Sequence, residues 1–174
     1  MDDSPLVRYY DGRGPDDRGR YLAEILQWPD KRLEAVHDFI QWMFPLRERS
    51  GVNPTAPIVD DATVREFRSR PELRKNMQGS FLRMIRFYGL EMQHEPNLSI
   101  KRAANFPLRS ENWLNLSNHN HLRLTRIIKS LRLLGLEEEA SALFNCLAAI
   151  YHSQDKAASV ISGETFQFWR SAAT

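Results

Sequence analysis

Residues 118–152 read NHNHLRLTRIIKSLRLLGLEEEASALFNCLAAIYH, and this stretch decides the fold class. Ser117 or Asn118 opens a helix, since a short polar side chain there accepts from the free amides of the first turn. Leu124, Ile127, Ile128, Leu131 and Leu134 follow at the spacing of one helical face, and Gly135 supplies the left-handed residue on which helices end. Glu137, Glu138 and Glu139 then place negative charge at the positive end of a second helix dipole. Ala140, Leu143, Phe144, Leu147 and Ile150 form its buried face. So short a connection predicts that the two helices pack antiparallel as a hairpin.

The same periodicity extends upstream. Ser69-Arg70-Pro71-Glu72 reads as a capping box with proline in the first turn, followed by a stripe of Leu73, Met77, Phe81, Met84, Ile85 and Tyr88 that Gly89 closes. Residues 17–28 carry Tyr21, Leu22, Ile25, Leu26 and Trp28 in a helix stopped by Pro29. Asp30 caps a continuous helix with Leu33, Val36, His37, Ile40, Met43 and Phe44 on one face, ending at Pro45. Pro45, Gly51, Pro54 and Pro57 make 45–61 an ordered loop, after which a short helix turns Val64 and Phe67 inward. Residues 91–117 are polar and weakly periodic, with one short helix near 100–105. Ser162-Gly163-Glu164 starts a last helix holding Phe166, Phe168 and Trp169. Neither strand alternation nor an internal repeat is visible. The expected fold is therefore all-α, a single compact multi-helix domain with long ordered loops. Residues 1–16 form a mobile N-terminal arm that ties on through Tyr9 and Tyr10, 17–152 the helical domain, and 153–174 a C-terminal tail.

Length and composition agree: 174 residues with 42% hydrophobic side chains are enough for one core. One cysteine, Cys146, excludes an internal disulfide and a multi-thiolate cage, which fits a reducing compartment. Met1-Asp2-Asp3-Ser4-Pro5 has no basic or apolar leader character, and no apolar run approaches the ~20 residues of a membrane span. The expected location is cytoplasmic.

A net charge of +2 hides an uneven layout. From Arg65 to Arg132 fourteen Lys and Arg face five Glu and no Asp, a local charge of +9; the remaining ten cations and seventeen carboxylates give −7. At 100° per residue Arg123, Arg126, Lys129 and Arg132 spread opposite the apolar stripe of their helix, with Leu122 and Leu133 among them. That face is either the solvated side of an amphipathic helix or a contact surface for phosphates or an acidic partner.

Catalytic and metal patterns are missing. His119 and His121 stand two apart, so a helix points them to different sides, and no HxxxH or HExxH pair occurs. At a helix start they are placed to cap amides or to hold an anion. His37, on an apolar face, reads as a satisfied core histidine. His119-Asn120-His121 spells a nuclease motif without its strand and helix context. No GxSxG, P-loop or GxGxxG is present, and Cys146 lies on an apolar helix as an inert thiol. Trp42, near a proline break, is either a core plug or, with Arg47 and Arg49, the anchor of a recognition groove.

Four stretches together resemble the conserved region of the opioid growth factor receptor family: His37-Asp38-Phe39-Ile40-Gln41-Trp42-Met43-Phe44-Pro45, Asn53-Pro54-Thr55-Ala56-Pro57, Phe87-Tyr88-Gly89-Leu90 and 118–136. The similarity runs over about residues 18–152, in matching order and spacing. It implies an all-helical domain without known catalytic chemistry, whose vertebrate namesake is described as a receptor for an endogenous enkephalin peptide associated with the nucleus. Without the long repeat-bearing tail of that receptor, the chain is expected to be a short, microbial member.

The expectation that results is a non-enzymatic binding module, with no cofactor and no metal. It would recognise a peptide or protein through Trp42, Arg47 and Arg49 together with His119, His121, Arg123, Arg126, Lys129 and Arg132. The rival is a nucleic-acid-binding domain using the basic 65–132 segment, whose affinity would fall steeply with salt.

Overall fold

A computed structural model describes residues 4–174, apart from the side chains of residues 156 and 157. Its helices are α1 (Pro5–Tyr10), α2 (Leu22–Leu26), α3 (Asp30–Ala35), α4 (Ile40–Met43), α5 (Asp61–Ser69), α6 (Pro71–Phe87), α7 (Phe106–Ser110), α8 (His119–Leu133), α9 (Glu137–Tyr151) and α10 (Gly163–Ala173). A 3-10 turn covers Lys156–Val160. Strands β1 (Leu90–Gln93) and β2 (Ser99–Arg102) pair antiparallel, with Leu90 opposite Arg102 and Gln93 opposite Ser99. The chain is thus mostly helical rather than all-α. Four-residue strands with only Leu90 and Ile100 buried are too short to leave an alternation in the sequence.

The residues gather into two compact units, Met1–Ser80 with Leu133–Gly135 and Phe81–Arg132 with Leu136–Thr174. In the first unit the expected mobile arm is packed: Leu6, Val7, Tyr9 and Tyr10 are all at most 1% exposed. Ser4 caps α1 by accepting from the Val7 amide, and the Tyr10 hydroxyl donates to the Met43 carbonyl. Burial of two tyrosines outweighs a polar, glycine-containing composition. Residues 1–3 of that arm lie outside the described residues.

The helix expected to start at residue 17 is delayed to Leu22, because Asp16 organises residues 16–20 into a loop. Its carboxylate accepts from the Arg18 and Arg20 amides, each at 2.9 Å, and from Arg20 Nε at 2.7 Å. The continuous 30–44 helix is likewise split. Val36 is extended, the Asp38 carbonyl accepts from Asn53 Nδ2, and the Asp38 carboxylate accepts from Arg20. As a result His37 is exposed rather than core. The Ser69 capping box does not form either. Helix α5 runs through Ser69, whose hydroxyl donates to Glu66, leaving only Arg70, extended before Pro71, between two helices.

In the second unit the α6 stripe (Phe81, Met84, Ile85) and the α8 stripe are buried as read. Asn118 Oδ1 accepts from the Asn120 amide at the start of α8. Gly135, at φ +94°, joins α8 to α9, and the backbones of β2 and α10 lie close against α9. The short helix expected near 100–105 falls instead at α7, and Ser162 caps α10 by accepting from the Thr165 amide.

Candidate binding site

Helix α6 ends on carbonyls that need partners, and those partners build the site. Arg109 Nε donates to the Phe87 carbonyl at 2.9 Å, and Trp113 Nε1 donates to the Tyr88 carbonyl at 3.0 Å. Gly89, at φ +78°, turns the chain into β1, and its carbonyl accepts from the Ala103 amide at 2.9 Å. A Cβ at residue 89 would stand 2.8 Å from Arg109 Cβ and 2.9 Å from Phe106 Cα. Helix α7 is therefore held directly against the α6 terminus, which fixes Phe106.

Beside α7 lies a cleft of about 410 Å³, lined by Arg102, Phe106, Pro107, Ser110, Leu114, Ile150, Asp155 and Ala158. Such a volume falls in the range of small-ligand and side-chain pockets. Phe106, Leu114, Ile150 and Ala158 form a buried apolar floor, while Arg102, Pro107 and Asp155 are exposed at the rim. Across the rim Arg102 NH1 donates to Asp155 Oδ2 at 2.7 Å, and the guanidinium lies 4.7 Å from the Phe106 ring centre. Phe106 and the α7 segment came from a region the sequence left nearly featureless; Phe106-Pro107 was its one faint helix-start signal.

Most residues expected to bind have structural partners instead. Trp42 is 5% exposed, packs 5.4 Å from Tyr9, and donates from Nε1 to Asp17 at 3.1 Å, so it is a core plug and not a groove anchor. Arg47 pairs with Asp61 at 2.7 Å, and Arg49 donates to the Pro54 carbonyl at 2.9 Å. His121 is buried rather than open to an anion: Nε2 bonds the Trp113 carbonyl at 2.8 Å, the ring meets Trp169 edge-on, and the Trp169 indole donates to the His121 carbonyl. Burial holds its pKa below the ordinary histidine value, against the opposing pull of the Trp113 carbonyl. His119 is half-buried.

Arg123, expected in water, is 5% exposed and reaches Asn120, which also accepts from the Tyr88 hydroxyl. The physical reason is that α8 has neighbours on more than one side, so its polar face is partly enclosed. Arg126 and Arg132 are half-buried, and Arg132 donates to the Ala173 carbonyl at 3.0 Å; Lys129 is exposed. Trp42, Arg47 and Arg49 belong to the first unit, and His119, His121, Arg123, Arg126, Lys129 and Arg132 to the second. No group of three or more His, Cys, Asp or Glu suited to a metal occurs among the described residues, nor is any described helix long and apolar enough to cross a membrane.

Fold and cleft together define a mostly helical domain whose apolar opening is crossed by an ion pair. The profile of the opioid growth factor receptor (OGFr) conserved region matches residues 9–171, and the chain belongs to that family. It is 41% identical over 128 residues to the opioid growth factor receptor of Mus musculus, covering 72% of this chain and 20% of that protein. Against the Homo sapiens receptor the identity is 41% over 122 residues, 68% of this chain and 18% of the relative. Opioid growth factor receptor-like protein 1 of Mus musculus is 35% identical over 147 residues, 82% of this chain and 31% of the relative. The chain thus spans between about a fifth and a third of these relatives. No solved structure matches it.

Proposed function

We propose that the chain is a non-enzymatic binding module that recognises a peptide or protein partner, and that the α7 cleft rather than the Trp42 elbow is where it does so. The observation that carries this reading is the cleft itself, an apolar floor under a charged, exposed rim. Two features support it. The relatives are named receptors, and the one thiol, Cys146, is pushed up to about 11 by burial, where it is a poor nucleophile.

Peptides selected from a random displayed library on the intact chain provide the test. Ala158→Phe fills the floor and Pro107→Trp obstructs the exposed rim, and each should weaken binding at least tenfold, while Arg126→Glu on α8 should change it less than twofold. The reverse pattern, with Arg126→Glu abolishing binding and both cleft variants binding normally, overturns the reading.

A further inference from the structure

Resting on the cleft as the binding site, we infer that its ligand is the free carboxyl end of a peptide whose last residue is apolar. Arg102 is the reason. A guanidinium carries five N–H donors in a planar fork suited to a carboxylate. Here NH1 donates to Asp155, while Nε and NH2 make no hydrogen bond among the described residues. The side chain is 39% exposed, so it is neither sealed inside the protein nor fully hydrated. Stacking on Phe106 ties the fork to a wall of the cleft.

The geometry selects a terminal carboxylate over a side-chain one. The floor of Phe106, Leu114, Ile150 and Ala158 accepts an apolar group, and the fork stands at the rim beside it. At a chain end the carboxylate and the apolar side chain leave the same Cα, so both reach their partners from one residue. A segment with an acidic side chain needs two residues to do the same. Asp155 is the opposing group. Its carboxylate, 58% exposed, competes for Arg102 and repels an incoming anion. Lys101, the neighbouring cation on β2, is paired with Glu91 at 3.1 Å.

The experiment titrates the intact chain, labelled with nitrogen-15, with three pools of N-acetylated hexapeptides. One pool ends in Leu, Ile, Val, Met or Phe with a free carboxyl group. The second has the same sequences as C-terminal amides, and the third is amidated with Asp or Glu before the last apolar residue. The free-acid pool should shift backbone amides of 102–114 and 150–158 with roughly tenfold tighter binding than the amide pool, as expected for losing a charge-assisted hydrogen bond. Arg102→Gln should erase that preference and Asp155→Asn should strengthen it. Equal binding of acid and amide pools, or tighter binding of the third pool, overturns the carboxyl-end inference while leaving the cleft as a peptide site. If no pool moves these amides, the binding reading fails and takes the inference with it.

Discussion

Single residues in this chain are committed inward to a degree that their types did not announce. Of the two roles open to Trp42, core plug and recognition anchor, the structure shows the first, with its indole packed against Tyr9 and bonded to Asp17. Trp42→Ala should therefore act on stability, costing on the order of 3–5 kcal/mol in chemical denaturation, as for other large buried aromatics. His121 gives the pH-dependent counterpart. Its folded pKa is depressed by burial, so the unfolded chain binds the proton more readily, and stability falls as pH drops below the ordinary histidine range near 6.5. Above that value the contribution is fully present. Denaturation midpoints measured from pH 7.5 downward should decline in the parent chain and decline less steeply in His121→Asn. His121 shows where sequence reading stops: its burial depends on which elements enclose a helix end, and neither spacing nor composition encodes that.

At the scale of elements, helix α6 and its exit carry the most consequence. Its stripe was legible because 3.6-residue periodicity persists over seventeen residues, and Gly89 was legible as a left-handed terminus. What could not be read is that Gly89 also abuts α7, placing Phe106 in the cleft wall. Gly89→Ala should cost about 2 kcal/mol or more, since it combines an unfavourable φ with a contact that backbone must yield to. Gly79→Ala, in the interior of the same helix with nothing within 4 Å of the new Cβ, should instead stabilise by about 0.5–1 kcal/mol. Thermal midpoints of the two variants should move in opposite directions. Short elements escaped notice for the converse reason. Helices α2, α3, α4 and α7 and the two strands span four to six residues each, less than two full helical turns, and are set by side-chain bonds such as Arg20–Asp38 and Asn53–Asp38.

Over the whole molecule, the charge asymmetry left open a basic contact surface, and much of it is structural. Within 65–132, Arg68 donates to the Leu133 carbonyl, Arg74 to the Phe67 and Arg68 carbonyls, Arg109 to Phe87 and Arg132 to Ala173. Arg70 pairs with Glu66 and Glu72, and Lys101 with Glu91. Cations engaged with helix-end carbonyls and carboxylates are poorly placed to neutralise phosphates together. A gel-shift series with duplex DNA should accordingly show no stable complex at about 0.15 M salt, whereas a dedicated basic interface would retain one.

Mapping hydrogen exchange on the intact chain, with and without a peptide selected on it, tests the cleft assignment most directly. New protection should concentrate in residues 102–114 and 150–158, with residues 40–49 and 119–132 unchanged. Protection confined to 119–132, or to 40–49, would contradict it.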